Sequence, residues 1–401
     1  MTGILSRRVG RAKPSATKEM TRLGNEMARA GRSIISLSQG EPDFDTPLHV
    51  REAAKSAIDN GVTRYTDVPS TVELREAVCR KFARDNALHF TVDQVTVGCG
   101  SKQVLYNALQ ATIDAGDEVV IPAPMWVSYP EMVHLADGTP IIVRCGEDSG
   151  FKVTPAGLER AITPRTKWLM LNSPGNPSGA VYSHAELQAL GEVLLRHPHV
   201  WMMSDDIYEK LRYADGPFAT MAAVVPALAS RTLTINGVSK AFAMTGWRCG
   251  YGAGPAGLIK AMNVIQSQST SHTSSISQAA AIAALDGPMD FLGPFLEAYR
   301  RRRDRVVAAI NAIEGLECLV PDGAFYVFPN CAGLLGRRTP EDQAIETDND
   351  LTMYFLRHAG VALVPGSAFE LPGHFRISYA AADAELDEGM KRLGRACAEL
   401  R

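Results

Sequence analysis

Long apolar runs are missing from this chain: nowhere in its 401 residues is there a stretch approaching 18 uninterrupted apolar positions. A membrane-spanning helix is therefore not expected. A surplus of one charge is missing too, because 41 basic residues face 44 acidic ones. That removes the electrostatic footprint of an obligate nucleic-acid or anionic-membrane partner. The seven cysteines, at positions 79, 99, 145, 249, 318, 331 and 397, are scattered without a CxxC, and free thiols in a reducing cytosol are expected. The nine histidines form no HExxH and no His/Cys pairing, and His197-Pro198-His199 reads as a loop after a helix, so no metal is expected. Arg7, Arg8, Arg11 and Lys13 are not followed by a signal-peptide stretch. Residues 1–18 lack acid but are only modestly rich in Ser and Arg. A soluble cytoplasmic protein is the expectation.

What is present is 46% hydrophobic residues and enough length for two domains. There is no internal repeat. Residues 19–31 read as a helix with Met20, Leu23, Met27 and Ala30 on one face, and Ile34–Leu37 leads into the turn cluster Gly40-Glu41-Pro42-Asp43. Short apolar runs then mark seven strands: Gln94–Gly98, Glu118–Pro122, Ile141–Arg144, Lys167–Asn172, Val200–Ser204, Thr232–Ile235 and Cys249–Ala253. Helical periodicity separates many of them, over Thr71–Asn86, Lys102–Ala115, Ser183–His197 and Gly257–Gln268, with Ser183 and Glu186 forming a capping-box start. This alternation predicts an α/β fold with a mostly parallel, seven-stranded, doubly wound sheet. From about residue 285 the texture changes to a long helix (Met289–Ala312), strands near Ala324–Phe328 and His374–Tyr379, and a closing helix from Ala382. The expected organisation is a large domain over 46–285 and a smaller α+β domain over 286–401 joined by residues 1–45. Arg300–Arg303 in the long helix read as a solvated face.

Ligands of open α/β sheets bind beyond the carboxyl ends of strands, and four polar clusters fall there. Gly98-Cys99-Gly100-Ser101-Lys102 lies between a strand and a helix, where glycines let backbone N–H groups face an anion at the helix start. Asn172-Ser173-Pro174-Gly175-Asn176-Pro177-Ser178-Gly179 is a shaped loop that can project the Asn176 amide. Asp205, in Ser204-Asp205-Asp206-Ile207-Tyr208, follows an apolar strand, is poorly solvated and calls for a cation such as a protonated pyridine. Lys240, in Ser239–Arg248, lies among small and apolar residues that favour its neutral, nucleophilic amine, with Arg248 available to a phosphate. Read alone, the two loops are equally plain turns and Asp205 equally a surface acid, while a lone lysine is nearly always a surface lysine and Lys240 is judged by its company. Gly252-Ala253-Gly254-Pro255-Ala256-Gly257 satisfies GxGxxG, but Pro255 lies in the turn and no acid follows about twenty residues on, so a nicotinamide dehydrogenase is disfavoured.

Taken together these residues resemble a family. Ser38–Phe44, Asn172–Gly179, Ser204–Tyr208, Ser239–Arg248, Gly323–Tyr326, Val364–Gly366 and Phe375–Tyr379 are similar, in that order, to the class I aminotransferases of pyridoxal-phosphate (PLP) fold type I, nearest the bacterial aspartate aminotransferase group. The resemblance implies that Lys240 is the Schiff-base lysine and proton carrier, and that Asp205 keeps the pyridine nitrogen protonated. Asn176 and Tyr208 would bond the cofactor's 3′-oxygen, while Gly100, Ser101, Arg248 and Ser239 would hold its phosphate. Trp126 would stack on the ring, and Arg376, with Gly40 and Asn176, would clamp the substrate carboxylate. Tyr65 would reach the neighbouring subunit's phosphate, implying a homodimer with shared sites. The chain departs from the family at Ser70-Thr71-Val72, where a Gly-Ile-Pro type turn is frequent, and at Met125, a place often aromatic.

Lys102 bears on substrate choice. In the related bacterial enzymes a lysine here contacts the distal carboxylate of aspartate or glutamate; the alternative is a further charge on the phosphate side. Amino transfer from aspartate to 2-oxoglutarate is the expected reaction, with aromatic amino acids or prephenate as the alternative. A PLP lyase or decarboxylase shares the scaffold. A PLP-sensing regulator would need a DNA-binding module for which the roughly 40 residues before the first motif leave no room.

Overall fold

Strands buried on both faces need helices on both faces, and this chain supplies them. The computed structural model describes residues 3–214 and 216–401. After a short β1 (Ile35–Ser36), the seven expected strands appear as β2 (Val95–Gly98), β3 (Glu118–Ala123), β4 (Thr139–Arg144), β5 (Thr166–Asn172), β6 (Trp201–Asp205), β7 (Thr232–Gly237) and β8 (Gly250–Ala253). They form one sheet in the order β2-β8-β7-β6-β5-β3-β4. Strands β4, β3, β5, β6 and β7 pair in parallel, and β8 runs against both of its neighbours. Alternation along the strands divides the core in two. Val119, Ile121, Trp168, Met170 and Met203 pack with the Ser101–Thr112 and Ala256–Ser267 helices. Val120, Leu169, Leu171 and Met202 pack with the His184–Arg196 helix on the other face. That helix begins with the expected box, in which Glu186 N donates to Ser183 Oγ at 3.2 Å and Ser183 N to Glu186 Oε2 at 2.8 Å.

The strand directions decide where chemistry can gather. Because β8 opposes both β2 and β7, β2 runs the same way as β7, β6 and β5. Their carboxyl ends, Gly98, Asn172, Asp205 and Gly237, therefore share one edge of the sheet, and each expected cluster lies at or just beyond one of them. A close approach sharpens that edge. A Cβ on Gly250 would stand 2.0 Å from the backbone nitrogen of Ser101, so only glycine lets the helix start press against β8.

The rest of the chain adds β9 (Tyr326–Val327), β10 (Val361–Ala362), β11 (Val364–Pro365) and β12 (Phe375–Ser378). Strands β11, β12 and β9 form an antiparallel sheet, and β10 pairs in parallel with β1. The Leu292–Asn311 helix corrects one expectation: Arg302 is not on a solvated face. Helical spacing puts it inside with Tyr299, Val306 and Ile310, its side chain 8% exposed, its Nη1 2.9 Å from Asp43 Oδ1 and its Nε 2.8 Å from Asp383 Oδ1. Arg303 is half-buried over the Tyr213 ring, and only Arg300 and Arg301 of the four are exposed.

Two helices carried no large apolar stripe in the sequence, Leu48–Asp59 and Ser275–Asp286. They pack on each other through small residues, Ala54 and Ala57 near Ala280, Ala281 and Ala284. The Ser70 departure is resolved as a buried residue with φ +97°, in the left-handed region that favours glycine. Thr71 then caps the Val72–Asn86 helix.

That helix is tied to the segment after β6 by a buried ion pair between Lys81 and Glu209. Asn86 completes the cluster, accepting from Lys81 Nζ at 2.6 Å and donating to Glu209 Oε2 at 2.9 Å. Removing one member strands the other charge in the interior. Lys81→Met is expected to lower unfolding stability by about 3 kcal/mol, read as a reduced urea midpoint. A change within about 0.5 kcal/mol, the ordinary scale of a surface substitution, would show that the pair carries no such weight.

Candidate active site

At the shared strand edge opens a cavity of about 890 Å³. Lys240, three residues past β7, projects into it. Its side chain is half-buried and donates to the Gly40 carbonyl. Burial, with Arg376 and Arg248 adding to it, pushes its pKa down to about 8 against the opposing pull of Glu41 and Asp205. Such an amine gives up its proton far more readily than an ordinary lysine, and the neutral state is the one a nucleophile or base requires.

Asp205 ends β6, the neighbour of β7. It is 4% exposed, and burial raises its pKa to about 6 although Tyr129, the Ile207 N–H and the Lys240 charge all pull it down. Tyr129 donates to Oδ2 at 2.7 Å and the Ile207 N–H to Oδ1 at 3.3 Å. Asp206, one residue on, faces away into a separate pocket of donors, Ser204 at 2.7 Å and Thr220 at 2.6 Å. Burial lifts it to about 7.

Arg376 enters from β12 and is 2% exposed. Its Nη1 donates to Asn176 Oδ1 at 2.9 Å and its Nη2 to the Ser38 carbonyl. The guanidinium lies over the Tyr326 and Phe369 rings, 4.6 and 5.2 Å from their centroids. No carboxylate pairs with it among the described residues, and its Nε has no partner. A buried cation left in this state calls for an anionic ligand. Tyr326 also explains Gly40: a Cβ there would come within 2.3 Å of the tyrosine oxygen, which itself lies 2.8 Å from the Tyr208 hydroxyl.

A second anion cradle lies past β2. Gly100, with φ +86°, packs so closely on Arg248 that a Cβ would meet Nη2 at 2.6 Å. Arg248 is held by the carbonyls of Thr245 (2.9 Å) and Cys99 (3.2 Å) and has no acid partner among the described residues. Ser101 opens its helix with its hydroxyl on the Asn236 carbonyl at 2.8 Å, and Ser239 lines the same wall. Backbone donors, two hydroxyls and a free guanidinium suit a phosphate. Trp126 lines the same cavity, edge-on to Tyr129 at 5.4 Å.

Of the residues expected from the sequence, Gly40, Gly100, Ser101, Lys102, Trp126, Asn176, Asp205, Tyr208, Ser239, Lys240, Arg248 and Arg376 all line this one cavity. Tyr65 does not; it is 92% exposed, edge-on to His272 at 5.6 Å. Tyr129 and Tyr326 were missed as site residues. Tyr326 lies inside the Gly323–Tyr326 motif and Tyr129 three residues past Trp126, but nothing in their spacing says that a hydroxyl meets Asp205 or Tyr208. The GxGxxG stretch lies elsewhere, with Gly252 close to Val104, where a Cβ would be 2.7 Å away.

The model of the family described as aminotransferase class I and II matches residues 32–393. The chain belongs to that family. An aspartate aminotransferase of Rhizobium meliloti strain 1021 is 55% identical over 374 residues, covering 93% of this chain and 91% of the relative. An aspartate/prephenate aminotransferase of Cereibacter sphaeroides is 55% identical over 397 residues, 99% of both chains. Among solved structures, the aspartate aminotransferase from Rhizobium meliloti matches with a TM-score of 0.97 at 52% identity over 100% of both chains. That of Thermus thermophilus with maleate matches at 0.91 and 43% identity, over 99% of this chain and 100% of the other. This aminotransferase uses pyridoxal phosphate, and its cavity fits the group: a phosphate cradle, a buried carboxylate, an amine of lowered pKa and an aromatic wall converge on one space.

The buried carboxylate has a thermodynamic signature. Asp205 has a folded pKa above its unfolded value, so its protonated form favours folding; stability is full below about pH 4 and falls as pH rises through about 6. In the cofactor-free protein, Asp205→Asn is therefore expected to be more stable than the parent at pH 8 by roughly 3 kcal/mol, the gap closing toward pH 4. Urea titrations at the two pH values check this; equal gaps would contradict it.

Proposed function

We propose that this aminotransferase moves the amino group of L-aspartate to 2-oxoglutarate in two half-reactions at one site. The observation that carries the reading is the opening of Lys240, Asp205 and Arg376 onto one cavity from three separate segments. Pyridoxal phosphate, when bound, supplies an electron sink for the pair left at the substrate's Cα. The protein's part is to position and to move a proton. Gly100, Ser101, Ser239 and Arg248 would hold the phosphate. Asp205, kept ionised by the Tyr129 hydroxyl, would hold the proton on the ring nitrogen, and Asn176 and Tyr208 would bond the ring oxygen. Arg376 grips the substrate carboxylate in two bonds and so fixes which bond at Cα faces Lys240. The Lys240 amine then takes the Cα proton and returns it elsewhere, general base followed by general acid.

Aspartate is favoured because the two named relatives share that amino acid in their names, and because a neighbour's crystal structure holds maleate, a four-carbon dicarboxylate. Prephenate as an acceptor is the second reading, favoured by the dual name of the Cereibacter relative. The reading extends to a homodimer in which the exposed Tyr65 reaches the partner's phosphate cradle. It also takes residues 46–285 as a large cofactor-holding domain and 1–45 with 286–401 as a smaller one carrying Arg376, a division supported by the β1–β10 pairing. The seven unpaired cysteines support a reducing cytoplasm.

Absorbance spectroscopy of the holoenzyme tests the reading. Aspartate is expected to convert the cofactor band to that of its aminated form and 2-oxoglutarate to restore it. Lys240→Ala is expected to lose turnover by about 10⁴-fold. In steady state, kcat/KM for aspartate is expected to exceed that for phenylalanine; the reverse order would overturn the dicarboxylate assignment, and a spectrum unmoved by any amino acid would overturn amino transfer.

A further inference from the structure

Side chains alternate across a strand, and at the end of β6 this sets two buried acids back to back. Met203 packs on the face that leads to Asp205 and the cavity, while Met202 packs on the other, which leads to Ser204 and Asp206. Asp206 is 1% exposed and does not line the cavity. Its Oδ1 accepts from the Ser204 hydroxyl at 2.7 Å and its Oδ2 from the Thr220 hydroxyl at 2.6 Å. Thr220 stands at the N-cap of the Met221–Val224 helix yet makes no cap bond with its side chain; the hydroxyl goes to Asp206 instead. The Asp206 backbone is fixed as well. Its N–H donates to the Ile235 carbonyl of β7 at 2.9 Å, and its own carbonyl accepts from the Glu209 N–H at 2.9 Å. Tyr208 sits inside the turn so closed, whose far end, Glu209, is held by Lys81. Of the charges around the Asp206 carboxylate, Glu209 opposes its ionisation and Lys81 favours it.

We propose that Asp206 is a positioning residue for amino transfer, which fixes from behind the sheet edge where Asp205 and Tyr208 meet the cofactor ring. Three observations carry it. The bond to Ser204 straddles Asp205, so the residues on both sides of the cavity-facing acid are tied to each other. The bond to Thr220 anchors the strand end to a helix whose Met221 and Val224 belong to the core on that face. The Asp206 carbonyl starts the turn that presents Tyr208. Burying a carboxylate here is costly, and an apolar side chain would fill the space without that cost. What the carboxylate adds is direction, two acceptor oxygens each held by a separate hydroxyl. The inference rests on the placement of Asp205 and Tyr208 against the ring proposed above.

The absorbance band of the holoenzyme, followed against pH, reads that placement. A hydroxyl on the ring oxygen and a proton on the ring nitrogen both draw electrons from the linkage to Lys240 and ease its proton off, so loosening either raises the titration midpoint. In Asp206→Ala that midpoint is expected to rise by about half a pH unit, the scale of one weakened hydrogen bond. Turnover of aspartate is expected to fall about fivefold in kcat with KM within about twofold of the parent, because Arg376 lies on a different strand. Asp206→Asn, which keeps the shape and an acceptor, is expected to stay close to the parent. Thr220→Val removes one of the two bonds and is expected to raise the midpoint by less, which answers the question even where Asp206→Ala fails to fold. Leu190→Ala, a core truncation on the same face, is expected to weaken resistance to urea and leave the band in place. A band titration unmoved in Asp206→Ala and Thr220→Val, or moved equally by Leu190→Ala, overturns the role of Asp206. Tyr208→Phe separates this from the reading beneath it: a titration unmoved there as well overturns the placement of Tyr208 itself.

Discussion

The arrangement depends on placing a carboxylate and an amine, both stripped of most of their water, at the ends of neighbouring parallel strands. Neither group is comfortable there. Asp205 is driven toward protonation and Lys240 toward neutrality by the same loss of solvent. The surrounding donors decide how far each goes. Tyr129 and the Ile207 N–H keep a carboxylate available, while Arg376 and Arg248 add to burial in easing the proton off the amine. Two opposite shifts within one cavity set an amine that can exchange a proton beside a carboxylate that can hold a cation.

Everything else serves that placement. The antiparallel β8 returns β2 to the common direction, which brings the phosphate cradle to the same edge as the amine. Gly250 allows the Ser101 helix start to settle against the sheet, and Gly40 lets Tyr326 approach the Lys240 contact. The Lys81–Glu209 pair and the Arg302 contacts to Asp43 and Asp383 are structural counterparts. The first fixes the segment behind Tyr208, the second the turn that follows Gly40. Buried charge is thus used twice, paired where it holds segments together and unpaired where it awaits a ligand. The unpaired set, Arg376 and Arg248, makes the cavity a receptor for more than one anionic group.

Much of this was legible in the residues alone. The seven strands stood out because each is a short, near-continuous apolar run, as a sheet covered on both faces demands. Sites beyond strand ends followed from topology, and the resemblance assigned roles to them. Three things were not legible. The Leu48–Asp59 and Ser275–Asp286 helices meet through alanines, which leave no amphipathic stripe of large side chains. Arg302 was hidden among four arginines, since a run of like charges does not reveal which member its helix turns inward. Tyr129 and Tyr326 act through hydroxyls whose partners lie 76 and 118 residues away in the chain, a separation that no local pattern records.

The central claim, that Lys240 is the amine joined to the cofactor, has a direct chemical readout. Borohydride reduction of the holoenzyme fixes the linkage, and tryptic peptides are then weighed. Lys240 is the single lysine between Arg231 and Arg248, so the account predicts the cofactor's mass on an uncleaved peptide spanning Thr232–Arg248. The same mass on a peptide carrying any other lysine would contradict it.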